Sequence, residues 1–452
     1  MKRVIPFGLV FVACVLALAW HPAGGQGSGG AIDSGDVAWM LTASGLVLLM
    51  TPGLSFFYGG MVQKKNVIST MLQSLVAMII ISLLWVIVGF SLAFGDSIGG
   101  IIGDPRTYFM FQNVGLGSNA ALAPTIPLML FALFHLKFAI ITPALITGSF
   151  AERVRFWSYV TFICLFSLFI YCPLAHWTWH PDGFLRQWGV MDFAGGTVVH
   201  TSAGWAALVG AMVLGRRQIH ERVGSHVPAN IPFVILGTGM LWFGWFGFNA
   251  GSALGASAQA TLAFATTNTA SAAAALAWIA FDVIRGRKAS ALGACVGAVV
   301  GLVAITPAAG FVSVPSSIVV GSVASVASNM VVHWKSRSTL DDTLDVFPCH
   351  GVGGMVGMVA TGVFAADVGL MTGQTRTFFV QIVGLLVVSP FAIIGSYLLY
   401  KITDAIIPLR VSERQEMLGL DLTQHDETMS SRGVQAAFED LQGQLFPTPT
   451  EG

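Results

Sequence analysis

The chain alternates long apolar segments with short polar connections over most of its length. Eleven segments of about 20 residues each are apolar enough to cross the hydrocarbon core of a bilayer as helices. They are residues 36–60, 66–95, 125–150, 156–177, 191–215, 227–252, 257–284, 289–308, 312–334, 347–366 and 377–405. The pattern therefore predicts an all-α integral membrane protein whose transmembrane domain covers residues 36–405.

The basic residues between the spans predict the orientation. With the N-terminus outside, the inner loops and the flanks of the last span carry fourteen Lys and Arg residues, against three in the outer loops. Such a bias is typical of loops that face the cytoplasm. We expect a multi-pass protein of the cell membrane, the inner membrane of a bacterium, with the N-terminus outside and the C-terminus in the cytoplasm.

The two ends of the chain differ from the spans. Lys2 and Arg3 precede an apolar run and then small residues, which is typical of a secretory signal peptide and assigns it to residues 1–25. An uncleaved membrane anchor is the alternative. Residues 406–452 are polar and predict a cytoplasmic tail that is too short for an appended catalytic domain of usual size.

The order of the spans predicts an internal repeat. Spans 1–5 and 6–10 are equal and odd in number, so the second set enters the membrane upside down. Inverted repeats place a substrate path where the two halves meet. We therefore expect two inverted five-helix halves plus one peripheral helix, with His200 in span 5 and His350 in span 10 at related positions.

The amino-acid composition excludes several classes of function. The chain is 55% hydrophobic and only 10% charged, its formal net charge is zero and its mean hydropathy is +0.76. It has no basic face of the kind that nucleic acid needs. Because no cofactor or metal-ligand motif occurs in the sequence, we expect no cofactor and no enzymatic activity. The five cysteines lack CxxC spacing and are predicted to be packing residues.

Two histidines lie within apolar spans. His200 ends the segment DFAGGTVVH at 192–200, and His350 ends DVFPCH at 345–350. An ionisable side chain inside a membrane span is costly and marks a functional site by default. The alternative is that each ring merely bonds a backbone carbonyl in its own bundle. We interpret the two histidines as a buried pair that lines a path.

Six segments together resemble the signature motifs of the ammonium transporter family (Amt/Mep, and distantly the Rhesus proteins). They are residues 51–66, 141–153, 192–200, 244–252, 345–351 and 419–425, in family order. The resemblance implies an ammonium-transporter fold assembled as a homotrimer, with one pore in each protomer. It also implies that ammonium or ammonia is the substrate and moves inward.

The twin histidines fit the chemistry of that substrate. Ammonium resembles potassium in size and charge, but it donates hydrogen bonds and can lose a proton. An apolar pore penalises a bare cation and admits neutral ammonia. Histidine exchanges a proton near neutral pH. The resemblance implies that His200 and His350 relay the proton while ammonia crosses the lumen.

The resemblance also implies a recruitment site on the outer side. Trp179 would hold the cation by a cation–π contact, and the Ser252 hydroxyl would accept one of its hydrogen bonds. Phe134 would line the vestibule above the gate. A membrane-interface role is the alternative for Trp179, although Trp177 fits that role better.

A gate follows from the same resemblance. Phe138 and Phe248 match the two stacked family phenylalanines, and Trp245 is expected to pack beside the histidines. Asp192 is expected to shape the recruitment site through hydrogen bonds to backbone or hydroxyl donors. Asp345 is expected to cap the start of span 10.

Span 3 departs from the family pattern next to the gate. The family commonly has Phe-Gln-x-x-Phe where residues 134–138 read FHLKF, so His135 and Lys137 are atypical. One hypothesis pairs Lys137 between helices or protomers. The other places it near the route of the cation, where it would repel the cation and reduce throughput.

Two other functions remain open from the sequence. The first is an ammonium sensor with low transport activity, which His135 and Lys137 favour slightly. The second is a Rhesus-type ammonia gas channel, which the motif at 244–252 disfavours. Family members often dock a PII-type signalling protein on the cytoplasmic face. Here HDETM at 425–429 departs from the family's usual tail sequence.

Overall fold

The computed structural model describes residues 27–222 and 227–429, and residues 14, 15, 17 and 18. The predicted signal peptide at 1–25, apart from those four residues, and the last part of the predicted tail lie outside the described residues. The helices are α1 (Ser34–Met61), α2 (Val67–Leu84), α3 (Phe90–Phe94), α4 (Leu128–Phe150), α5 (Phe156–Phe166), α6 (Cys172–Trp179), α7 (Phe184–Trp188), α8 (Ser202–Leu214), α9 (Gln218–Arg222), α10 (Ile231–Gly251), α11 (Ala258–Ile284), α12 (Ala291–Ile305), α13 (Val314–Lys335), α14 (Gly353–Phe364), α15 (Arg376–Ile406), α16 (Glu413–Leu418) and α17 (Leu420–His425).

Short irregular elements connect these helices. π-Helical segments at Trp85–Gly89, Ser167–Tyr171, Gly196–Thr201 and Phe347–Val352 continue directly into helices. Turns of 3₁₀ helix occupy Lys64–Asn66, Phe109–Phe111 and Leu370–Thr372. Small antiparallel hairpins pair β1 (Ser97–Ile98) with β2 (Ile102–Gly103), and β3 (Ser118–Asn119) with β4 (Ala123–Pro127).

The predicted spans are present as helices. Among the described residues, ten helical segments are long and apolar enough to cross a membrane. The eleventh predicted span, 289–308, forms the shorter helix α12 of 15 residues. Its side chains are almost all buried, because it packs between α11, α13 and α14. The all-α membrane fold predicted from the hydropathy pattern is confirmed.

The two halves of the repeat meet along matching helices. The first helix of each half forms one pair, α1 with α10, and the fifth spans meet where α8 contacts Phe347–Val352. Small residues allow close backbone approach inside a membrane. At Gly237 on α10, for example, an added Cβ would lie 2.4 Å from the backbone nitrogen of Phe57. The predicted inverted architecture therefore rests on closely packed, glycine-rich crossings.

A buried ion cluster closes the end of the bundle that bears the C-terminal tail, which we call the tail face. Arg217 lies between two carboxylates, with N–O distances of 2.6 Å to Glu152 and 2.9 Å to Asp341. Burial opposes ionisation of Asp341, but hydrogen bonds from Arg217 and the nearby Arg153 charge outweigh it and hold the pKa of the carboxyl well below its usual range. The cluster joins three loops that are distant in the sequence.

Candidate functional site

The two histidines lie in equivalent local structures. His200 belongs to the π-helical segment Gly196–Thr201, and His350 belongs to Phe347–Val352. Segments of this type occur mostly as single turns inside α-helices and are frequent at functional sites. Gly204 permits the two helices to cross, because a Cβ at that position would lie 2.2 Å from the backbone nitrogen of Gly351.

Asp192 orders the segment that carries His200. Its buried carboxylate accepts hydrogen bonds from the backbone N–H groups of Gly195, Gly196 and Thr197 at 2.6–2.8 Å, and from the Thr197 hydroxyl at 2.5 Å. These four bonds use the acceptor capacity of the two oxygens. The side chain therefore organises the backbone and is not arranged to bind a cation directly.

Asp342, and not Asp345, performs the corresponding role before His350. The backbone N–H groups of Val346 and Phe347 donate to the Asp342 carboxylate at 3.2 and 2.8 Å. The expected cap by Asp345 is wrong, because that side chain pairs with Lys335 at 2.6 Å. The inverted repeat is thus visible in the spacing, since Asp192 and Asp342 each precede their histidine by eight residues. That shared spacing is the sequence signal that would have identified Asp342.

Replacing Asp342 with alanine is expected to lower the free energy of unfolding by about 1–2 kcal/mol, the usual cost of losing a helix cap. Burial raises the pKa of Asp342 to about 6, so the carboxylate is mostly ionised at neutral pH and accepts both bonds. Thermal unfolding in detergent at neutral pH measures the change. Asp342→Asn, which keeps one acceptor oxygen in place, is the matched variant, and a loss there equal to that of Asp342→Ala would contradict the assignment of the cap to Asp342.

The two histidine rings are in direct contact. The Nδ1 atoms of His200 and His350 lie 3.3 Å apart, and the ring planes are inclined by 22°. A neutral imidazole carries its proton on one nitrogen only. If one Nδ1 donates to the other, its own Nε2 must be an acceptor, whereas the Nε2 of the second ring must carry a proton. The pair therefore presents one acceptor and one donor.

The Nε2 atom of His200 is buried and has no hydrogen-bond partner among the described residues. A buried polar atom without a partner is costly and calls for an explanation. The Trp245 ring stacks beside His200 at 5.4 Å, and the Trp245 indole N–H donates to the Thr306 hydroxyl. The tryptophan therefore supports the imidazole without using its Nε2, which remains available to a small hydrogen-bonding ligand.

Two stacked phenylalanines lie next to the histidines. The Phe138 and Phe248 rings are 4.0 Å apart with an interplanar angle of 21°, and Phe248 is 6.0 Å from the His200 ring. Both side chains are buried. On the other side, beyond His350, a narrow cavity is lined by mostly apolar side chains, including those of Phe57 and Val346. The histidine pair therefore lies between the phenylalanine pair and the apolar cavity.

The residues predicted for recruitment lie around the phenylalanine pair. The Trp179 ring contacts Phe138 edge-on at 5.8 Å, and its indole N–H donates to the Asp192 carbonyl. Trp177 instead packs on Phe184 and Phe391. The structure thus brings Trp179, rather than Trp177, to the phenylalanine pair.

Phe134 and Ser252 lie on neighbouring elements. Phe134 is 4.9 Å from Phe138, and an added Cβ at Gly251 would meet the Phe134 ring at 2.8 Å. Ser252 is the next residue and caps the end of α10, where its hydroxyl donates to the Phe248 carbonyl at 2.9 Å. The hydroxyl oxygen of Ser252 retains acceptor capacity.

The two atypical residues of span 3 have different surroundings. His135 is buried among aromatic rings, 5.6 Å from Trp179, and its Nδ1 contacts the Phe131 carbonyl at 3.1 Å. Lys137 is only partly buried and has no hydrogen bond or ion pair within the described ranges. His135 therefore belongs to the aromatic cluster around Phe138, whereas Lys137 does not.

The tail packs against the tail face. Asp421 accepts hydrogen bonds from the Ile68 and Ser69 N–H groups at the start of α2, and Asn66 accepts one from the Leu420 N–H. The Lys65 ammonium donates to the Met417 carbonyl at 2.5 Å. These contacts were not predicted as a site. The acidic residue in GLDLTQH at 419–425 was their only sequence signal.

The chain is similar to known proteins over nearly its whole described length. The profile of the Ammonium Transporter Family matches residues 38–430. An ammonium transporter of Aquifex aeolicus is 46% identical over 404 residues, which cover 88% of this chain and 93% of that protein. An ammonium transporter of Bacillus subtilis is 44% identical over 412 residues, with 88% and 98% covered. The crystal structure of Candida albicans Mep2 superimposes with a TM-score of 0.81 at 36% identity, covering 88% of this chain and 90% of that one.

Proposed function

Because the chain belongs to the ammonium transporter family, we propose that it carries ammonium inward across the cell membrane through a pore in each protomer. The observation that carries this proposal is the buried contact between His200 and His350 behind the stacked Phe138 and Phe248. The cell (inner) membrane is the proposed location, with the N-terminus outside and the tail in the cytoplasm.

Recruitment is the first proposed step. The face of an indole attracts a cation by about 0.5–2 kcal/mol, and Trp179 contacts Phe138 edge-on at 5.8 Å. The Ser252 hydroxyl oxygen is a suitable acceptor for an ammonium N–H. Asp192 contributes by holding the local backbone and by accepting four hydrogen bonds, so it need not bind the cation.

Deprotonation is proposed at the phenylalanine gate. Rings 4.0 Å apart leave no room between them, so they must move before any substrate passes. An apolar passage raises the energy of a bare cation by far more than that of a neutral molecule. Ammonia therefore crosses the gate more easily than ammonium or potassium, which gives selectivity without discrimination by size.

The histidine pair is proposed to carry the proton that ammonium leaves behind. Its unpartnered Nε2 accepts a hydrogen bond, and transfer through the Nδ1–Nδ1 contact passes a proton from one ring to the other. Ammonia moves alongside in the apolar lumen. Proton and ammonia then arrive together on the cytoplasmic side, so that net charge is transferred.

Assembly and regulation complete the proposal. We place the protomers in a homotrimer in the bilayer, with a PII-type signalling protein as a candidate partner of the tail face. The sensor alternative is not favoured, since the relatives reported above are named ammonium transporters. A Rhesus-type gas channel differs from our proposal in one measurable respect, because it would move ammonia without charge.

Purified protein reconstituted in liposomes tests the proposal directly. We expect an inward current when an ammonium pulse is applied, and none with an equal potassium pulse or with protein-free liposomes. Ammonia uptake without current, reported by internal alkalinisation, would favour the gas channel. Ammonium binding with neither current nor uptake would favour the sensor.

A further inference from the structure

The Lys137 side chain faces outward from its own protomer. Of the 23 residues of α4, only Met129, Leu133 and Lys137 are not buried, and they form one stripe at intervals of four residues. Phe134 and Phe138 lie on a different side of the helix, because successive residues are rotated by about 100°. The Lys137 side chain therefore points out of the protomer and away from the proposed pore.

The depth of Lys137 excludes a simple escape to water. It lies nine residues from one end of α4 and thirteen from the other, or about 13 and 20 Å at 1.5 Å per residue. A four-carbon lysine stem does not span either distance. Charged groups at such depth pair with other polar groups, yet Lys137 has no such partner in the described part of its own chain.

A complementary polar group lies on another outer surface. Asn268 is exposed on α11, in a stripe with Phe264, Ala272 and Leu276. Its carboxamide makes no hydrogen bond within residues 27–222 and 227–429. A Ser or Thr hydroxyl in a membrane helix can donate to the backbone carbonyl one turn earlier in its own helix. A carboxamide at this position needs a hydrogen-bond partner from outside its own helix.

The two groups lie at matching depth. The segments that lead into α4 and α11 are tied to one carboxylate, because the Thr125 hydroxyl on β4 and the Ala256 N–H both donate to Asp36 at 2.6 and 2.8 Å. Lys137 lies nine residues after the first residue of α4, and Asn268 lies ten residues after the first residue of α11. Rotation about an axis normal to the membrane preserves depth, so the two side chains of neighbouring protomers can meet.

The surfaces that carry these groups are different. α4 packs on α1, α2 and α8, whereas α11 packs on α10, α12 and α13. A contact between two different surfaces of identical chains is head-to-tail and closes into a ring when the rotation permits. Apolar side chains accompany both groups, with Leu75, Ile79 and Leu83 exposed on α2 beside α4, and Phe264 and Leu276 exposed on α11.

We propose that the Lys137 ammonium of each protomer donates a hydrogen bond to the Asn268 side-chain carbonyl of the next protomer, across an interface between the α4 and α11 faces. The inference rests on the membrane-embedded trimer proposed above and gives it a specific contact. Each protomer supplies one donor and one acceptor, so every such group in the ring is paired.

Cross-linking in native membranes tests the contact. In a background with Cys14→Ser and Cys164→Ser, the chain carrying Lys137→Cys and Asn268→Cys is expected to give dimers and trimers with a short bis-maleimide. Lys137→Cys with Leu276→Cys is the matched control, since residue 276 shares the exposed stripe two turns away. Lys137→Cys alone is expected to give no product, because a head-to-tail ring keeps identical residues apart.

A double-mutant cycle tests the energy of the contact. Lys137→Met and Asn268→Leu are each expected to raise the subunit dissociation constant in detergent about 3- to 15-fold, the range for hydrogen bonds between membrane helices. The double variant is expected to dissociate no more readily than the single variant that dissociates more readily. The reason is that the same interaction is lost in both single variants and in the double variant.

The two measurements separate the possible failures. Additive effects in the cycle, or cross-linking equal to the Leu276 control while the trimer persists, would overturn the Lys137–Asn268 contact alone. A monomeric protein would overturn the trimer as well. Neither readout depends on ammonium current, so a failure of transport is distinguishable from a failure of this inference.

Discussion

Replacing His200 with alanine is expected to reduce the ammonium current of reconstituted protein about 10- to 100-fold. Loss of a buried hydrogen-bonding group that a charged or strongly polar substrate needs costs about 1.5–3 kcal/mol, and each 1.4 kcal/mol is a factor of ten. The variant removes both the unpartnered Nε2 and the 3.3 Å contact with His350. Any residual current is expected to discriminate less well against potassium, because the space left by the ring admits water.

The control removes a histidine that does not belong to the buried pair. His220 lies on α9 beside Arg216 at the tail face, and His220→Ala is expected to retain the wild-type current. Equal protein density in the liposomes is verified before the currents are compared. A His200→Ala current that matches wild type in size and selectivity would refute the proton relay.

His350 extends the same test. His350→Ala alone and the double variant with His200→Ala are expected to lose current to a similar degree, since either change removes the shared contact. Groups that act as one unit give non-additive effects. If the fold-loss of current in the double variant equalled the product of the two single fold-losses, the two rings would instead act independently.

Replacing Asp192 with alanine is expected to lower the free energy of unfolding by about 3 kcal/mol or more. Four buried donors lose their acceptor, namely three backbone N–H groups and the Thr197 hydroxyl, and each unsatisfied buried donor costs about 1–3 kcal/mol. The lost bonds lie at the start of the segment that carries His200, so the position of the ring is lost with them. We expect a large fall in the thermal unfolding temperature in detergent, together with loss of current.

Two further variants make the Asp192 result specific. Asp192→Asn keeps one acceptor oxygen and is expected to be intermediate in stability. Asp182→Asn removes an acidic residue whose side chain is 70% exposed and is expected to change stability by no more than about 0.5 kcal/mol. If Asp192→Ala proved as stable as wild type but did not bind ammonium, direct ligation of the cation would replace the structural role.

Much of the site was predictable because its chemistry is anomalous for its surroundings. A histidine inside an apolar span is unusual wherever the helix packs, so His200 and His350 stood out without knowledge of the fold. The role of Asp345, in contrast, could not be predicted from the sequence. Three acidic residues precede His350 within nine positions, and only the folded backbone decides which carboxylate reaches the amide groups of Val346 and Phe347.

By itself, the sequence determined the spans and the residue types that they bury, because hydropathy is local and a bilayer sets the length of an apolar helix. It also determined membership of the family through motifs read in order. The tertiary structure alone decided which nitrogens of the two histidines meet, the choice of Asp342 over Asp345 as the acceptor before His350 and the outward direction of Lys137. These features depend on how helices distant in the chain rotate and cross. Hydropathy does not encode that geometry, because nearly every face of these helices is apolar.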